Sequence, residues 1–179
     1  MDPLTAHQRA QEVLAGVLAK VGPDQLGDPT PCAGWSVREV ADHVIGGNWR
    51  VAGVAASDAP PADGLAAALS ASAAQAQATF AEPGGLTRTF ELPFGSLPGS
   101  VFIALRTTDA LTHAWDIAKA TGQPTELDAE LSAELLEASK ARIGPEFRGE
   151  GRPFAAEQPC PEDRPVADQL AAFLGRRVD

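Results

Sequence analysis

The sequence predicts an all-α protein: a four-helix bundle with a short β-hairpin or extended excursion between helices three and four, and a small helical tail at the C-terminus. Three observations lead there. Alanine dominates an apolar fraction of 44%, and tyrosine is absent, which favours helices over sheets rich in aromatic and β-branched residues. Four long stretches repeat apolar residues at helical spacing between loops dense in Pro and Gly. Only one short stretch alternates as a strand would.

Taken in order, residues 5–21 form an amphipathic helix, with Ala10, Val13, Leu14, Val17, Leu18 and Val21 along one side. The loop "GPDQLGDPTPCAG" follows. Ser36 then offers an N-cap, and Glu39 three residues on completes a capping box for a second helix through "VREVADHVIGGNWRVAGVAA". The stretch "SDAPPADG" ends it. The third helix, "LAAALSASAAQAQATFA", is rich in small residues and anchored by Leu65, Leu69 and Phe80. Its alanine surface suits core packing and a homodimer contact equally. "TRTFEL" alternates and predicts a short strand, with "PFGSLPG" as its turn. Pro98 and Gly99 introduce the fourth helix, which stops at Gly122 with Pro124 behind it. A fifth helix spans roughly 128–142, a long irregular loop follows, and "VADQLAAFLGRR" closes the chain as a short helix. No internal repeat is visible, and 179 residues fit one domain over 1–179.

The net charge of −10 argues against a nucleic-acid partner, since no basic stripe exists to displace counterions from phosphates. No apolar run nears the ~20 residues of a membrane span, and the acidic, interrupted N-terminus does not read as a signal peptide. The two cysteines, Cys32 and Cys160, lie far apart outside any C-x-x-C pattern, so the expectation is a reduced, cytoplasmic protein.

Chemistry concentrates in "TTDALTHAWDIAKATGQP". Asp109, His113 and Asp116 stand at i, i+4 and i+7 on one helix face, in a chain with three histidines. Ligands at i and i+4 are a common grip on a metal ion. His43 on the second helix is the natural third, because bundles build metal sites from facing helices. His43, Asp109 and His113 give two nitrogens and one carboxylate oxygen with positions left open, a set suited to Zn²⁺, Ni²⁺ or Fe²⁺. The plain alternatives are a hydrogen-bonded core histidine and an Asp109–Arg106 pair on the surface. Asp116 reads as the acceptor that orients His113, or as a partner for Lys119 or Lys20. Gly46 and Gly47, each costing about 1 kcal/mol in a helix, leave room for a ligand or for close helix packing. With Asn48 and Trp49 they are the predicted access route. Cys32 is either a thiolate ligand or nucleophile or an inert buried thiol.

Three ordered motifs resemble one family. "PTPCAGWSVREVADHVIGGN", "DALTHAWDIAKATGQ" and "CPEDRPVADQLAAFLGRR" are similar to the helix-two, helix-four and C-terminal signatures of the DinB/YfiT-like superfamily. Within it they match the actinobacterial, mycothiol-dependent maleylpyruvate isomerase-type branch. The resemblance spans essentially the whole chain. It implies a DinB-like four-helix bundle holding a divalent metal, zinc or nickel, on the positions here occupied by His43, Asp109 and His113. It also implies the low-molecular-weight thiol mycothiol as cofactor and an electrophilic small molecule as partner. The expected activity is therefore a metal- and thiol-dependent transferase or isomerase, with Gly46, Gly47, Asn48 and Asp116 about the cofactor. Where the characterised isomerase has a further domain this sequence has a short tail, so maleylpyruvate itself is not carried over as substrate. A metal-dependent hydrolase and a non-catalytic, metal-stabilised binding module remain the alternatives.

Overall fold

The computed structural model describes residues 1–93, 95–149 and 154–179. Phe94 of the predicted turn and residues 150–153 of the predicted long loop lie outside the described residues. Helix α1 covers Pro3–Leu18, α2 Val37–Val51, α3 Leu65–Ala81 and α4 Gly99–Ala120. A β-hairpin of β1 (Thr89–Leu92) and β2 (Gly95–Pro98) separates α3 from α4, and α5 (Ala129–Arg142) and α6 (Val166–Phe173) follow.

The caps explain where these helices begin. Asp2 accepts the Thr5 amide at 3.1 Å with Pro3 in the first helical position, so α1 starts two residues before the expected residue 5, and it ends at Leu18, short of the expected residue 21. The Ser36–Glu39 capping box forms as expected, with Glu39 Oε2 taking the Ser36 amide at 2.8 Å. Two expectations need correction. The second helix stops at Val51 rather than near Ala56, because Gly53 turns the chain at φ +74°. The stretch read as a turn after "TRTFEL" contains the second strand: Phe90 pairs with Leu97 and Leu92 with Gly95, antiparallel.

Packing closes a ring of four helices, α1 on α4, α4 on α2, α2 on α3 and α3 on α1. This is the predicted bundle. Its main core joins Leu14 and Val17 of α1, Val40 and Val44 of α2, Leu69 of α3, and Leu111 and Ile117 of α4. Helices α5 and α6 pack on each other and extend that core through Leu131, Leu135, Leu170 and Phe173. The hairpin caps one end over a second cluster of Phe80, Phe90, Phe102 and Ile103. Among the described residues no helix is long and apolar enough to cross a membrane.

One polar thread crosses the core. His7 Nδ1 meets Gln77 Oε1 at 2.7 Å, Gln11 and Asn48 exchange two amide hydrogen bonds at 3.1 Å, and Arg106 Nη2 donates to Asn48 Oδ1 at 3.4 Å. Burial lowers the His7 pKa, which keeps that ring neutral. The thread matters because its last member, Arg106, reaches the functional site.

Candidate metal centre

Helix α4 is the scaffold of the site. Its periodicity puts Asp109, His113 and Asp116 on one face, and α2 brings His43 across from them. His43 Nε2 lies 3.2 Å from Asp109 Oδ1, and His113 Nε2 lies 3.5 Å from the same oxygen. Each of the three residues offers one ligand atom within 4.8 Å of the other two. With metal–ligand bonds of about 2.0–2.2 Å, neighbouring ligands on a four-coordinate ion sit roughly 3.3–3.5 Å apart. The donor set therefore fits a divalent cation in both chemistry and spacing.

Two of the donors, His113 and Asp109, are held from behind. Asp116, fully buried, takes the His113 Nδ1 hydrogen at 2.9 Å, which leaves Nε2 as the ring's free donor. Arg176 brackets Asp116 with contacts of 3.2 and 3.1 Å. Neither Lys119 nor Lys20 plays that part; Lys119 donates to the Val178 carbonyl. Arg106 donates to Asp109 Oδ2 at 2.8 Å and to the Val44 carbonyl at 3.0 Å. This pair is interior, since Arg106 is 6% exposed, and not the surface pair that i,i+3 spacing allows.

Gly46, Gly47 and Asn48 serve the bundle. A methyl group at position 47 would stand 2.5 Å from the Arg106 guanidinium atoms. The missing side chain makes room for Arg106 rather than for a ligand. Asn48 is fully buried in the polar thread and Trp49 is buried too, while Gly46 faces only Ala56 at 3.8 Å. The route to the donors opens elsewhere, past the half-exposed His43 ring.

The loop before α2 supplies the opposite wall. Thr30 bonds the Trp35 carbonyl through its amide at 3.0 Å and its hydroxyl at 2.9 Å, with Gly34 at φ +84° closing the turn. Trp35 is thereby laid against both histidines, 4.7 Å from the His43 ring and 5.9 Å from that of His113. Cys32 stands beside His113 and Asp116, close enough for those three to form a second donor group. Burial raises its pKa, with Arg176 offsetting only part of the effect, so by itself it is a thiol at neutral pH.

With no ion at Nε2, electrostatics favour a charged His113, whose second proton a metal would displace. Burial opposes the charge, but Asp109 and then Asp116 outweigh it and lift the pKa to about 9. Burial likewise opposes charge on Asp109, and Arg106 and His113 together hold that carboxyl well below the ordinary range. The His113 value exceeds its unfolded value of about 6.5. Its contribution to stability is therefore complete below that pH and is lost as the pH rises through about 9. In chelator, the melting temperature should fall between pH 7 and 10, and His113→Gln should flatten that part of the profile. An equally steep fall in the variant would assign the effect to other groups.

Sequence reasoning missed three participants: Arg106 as a buried anchor, Arg176 behind Asp116, and the α5 side of the cavity. Only Arg106 left a signal, through its spacing from Asp109 and the costly Gly47 opposite. Arg176 arrives from 60 residues away in sequence, with no local pattern to announce it.

Residues 7–63 match the family described as Mycothiol maleylpyruvate isomerase N-terminal domain. That span holds the Cys32–Trp35 turn and His43. Two proteins of Mycobacterium tuberculosis are each 61% identical over 181 residues, covering 99% of this chain and 100% of their own length. They are Uncharacterized protein MT0763 of strain CDC 1551 / Oshkosh and Uncharacterized protein Rv0738 of strain ATCC 25618 / H37Rv. No solved structure matches the chain.

Proposed function

We propose, for a chain that belongs to the DinB-like family of mycothiol-associated helical bundles, a role as a metal- and thiol-dependent transferase or isomerase. The observation that carries this reading is the meeting of His43 Nε2, Asp109 Oδ1 and His113 Nε2 at the wall of a cavity of about 460 Å³. A structural ion is typically enclosed by four protein ligands. Here three donors face open space, and one of them, His43, has a side chain 37% exposed.

Zinc or nickel at these residues would supply Lewis acidity, lowering the pKa of an incoming thiol such as mycothiol so that thiolate is abundant near neutral pH. The chain's own residues do the rest. Asp116 keeps the His113 proton on Nδ1 and so points Nε2 at the site. Arg106 occupies Asp109 Oδ2 and leaves Oδ1 as the donor. Trp35 covers the histidine rings and limits water beside them, while the cavity holds the electrophile. A reducing cytoplasm keeps Cys32 and Cys160, both free thiols, from oxidation. Nucleic acid and membrane have no part in the reading.

Cobalt substitution tests it. Adding mycothiol, with a simple thiol as control, should produce a sulfur-to-cobalt charge-transfer band, stronger at higher pH because metal binding releases the thiol proton. No band with either compound sinks the thiol reading and leaves hydrolysis or a structural ion.

A further inference from the structure

We propose that the cavity beside the donor set binds an electrophile with an apolar body and a single carboxylate, of the medium-chain alkyl or arylalkyl class. This names the substrate class of the site just described and rests on that reading.

The exposed apolar side chains point to it. Four large hydrophobic residues are exposed among the described residues: Met1, Val101, Leu105 and Phe147. All except the N-terminal methionine line this one cavity, where Leu135, Ile143 and Phe154 continue the same wall. A contiguous exposed apolar patch marks a binding surface, whereas scattered single residues do not. The cavity's volume, about 460 Å³, falls within the range usual for small-ligand sites.

The wall is also less polar than its residue types suggest. Thr108 gives its hydroxyl hydrogen to the Ala104 carbonyl at 3.0 Å, and Thr112 gives its own to Thr108 at 2.7 Å. Both hydroxyls are thus committed to the helix backbone. A sugar or a polyol would find few donors or acceptors here, and burying its hydroxyls unpaired would cost affinity.

The charges select the ligand's polar end. Asp109 is the one carboxylate among the described lining residues, and it is already shared by Arg106 at 2.8 Å and by His113 at 3.5 Å, whose ring also meets Asp116 at 2.9 Å. Arg176 is occupied by Asp116. Arg142, on the last turn of α5, lines the cavity with no ion-pair partner among the described residues. In a protein with a net charge of −10, a cavity whose uncommitted charge, among the described residues, is the exposed Arg142 guanidinium is complementary to an anion. One such cation calls for one carboxylate.

The test is calorimetric titration of the full chain, in chelator and again with zinc, using butanoate, hexanoate and octanoate beside the matching primary alcohols. In chelator, affinity should rise about fourfold per added methylene in both series. Each carboxylate should bind more tightly than its alcohol. Arg142→Gln should bring octanoate down to the level of octanol without changing octanol, and Phe147→Asp should weaken both. Absence of a chain-length slope in chelator and in zinc overturns the proposal. So does a slope that appears only with zinc, because the apolar wall does not depend on the ion. Self-association by light scattering that hides the patch and abolishes the slope would overturn it too, assigning the surface to a second copy. The two readings fail separately: a slope without metal binding counts only against the metal and thiol chemistry, whereas metal binding without a slope counts only against this cavity.

Discussion

His113→Ala protein should emerge from chelation and reloading with no stoichiometric zinc or nickel, yet with the far-UV circular dichroism of the parent. The metal loss follows from the donor count. Two ligands would remain, one of them the partly exposed His43, and a single carboxylate and imidazole cannot hold an ion against a chelator. The fold survives because the charges on either side keep their partners: Asp109 stays on Arg106 and Asp116 stays on Arg176. No carboxylate is left buried and alone, the situation that costs about 3–5 kcal/mol. The apolar core of the bundle runs through Leu14, Val40, Leu111 and Leu131 and does not use the imidazole. Asp116→Asn is the instructive contrast. Its amide oxygen can still accept the Nδ1 hydrogen, so metal should remain bound, weakened by about 10–100-fold as is usual when a ligand's hydrogen-bond partner is changed. Metal analysis after equilibrium dialysis distinguishes the two. Complete loss in Asp116→Asn as well would make Asp116 a ligand, in line with the second donor group that it forms with Cys32 and His113.

The parts of this molecule that local chemistry governs were legible in the sequence. Helical spacing, the Ser36–Glu39 box and Gly122 located α2 and α4, and the i, i+4, i+7 pattern placed Asp109, His113 and Asp116 on one face. The pairing of α2 with α4, which sets His43 opposite, followed from bundle logic and the family's motifs. What escaped was decided by tertiary contacts. "GSLP" carries no strand signal of its own and becomes β2 because "TFEL" pairs with it. Arg106 looked like a surface residue because arginine usually is one, and its burial depends on a gap in another helix. Gly46 and Gly47 are costly in a helix, but nothing in the sequence says which neighbour uses the space. Arg176 and the wall from α5 reach the site only after the chain has folded back over α4.

Neighbouring glycines should answer the same substitution with opposite signs. At Gly46 an added methyl would touch only Ala56, at 3.8 Å, an ordinary contact. Gly46→Ala should therefore stabilise by about 0.5–1 kcal/mol through the better helix propensity of alanine. At Gly47 the methyl would lie 2.5 Å from Cζ and both terminal nitrogens of Arg106. A guanidinium at the end of a flexible chain usually swings away at little cost, but this one is fastened to the Val44 carbonyl, Asn48 and Asp109. To yield, it must release at least one of them inside the bundle. Overpacking of this kind costs about 1–3 kcal/mol, and a loosened buried ion pair adds to it, more than cancelling the propensity gain. The melting temperature of Gly47→Ala should drop by several degrees, at roughly 2–4 °C per kcal/mol for a chain of this size. Metal affinity should fall with it, since Arg106 fixes the Asp109 carboxylate. In an Arg106→Ala background the obstruction is gone, and Gly47→Ala should then behave like Gly46→Ala, a coupling that a double-mutant cycle reads directly. Shifts of equal size and sign at the two glycines would mean that Arg106 does not rest on the Gly47 backbone, and its role in holding Asp109 would fall with that result.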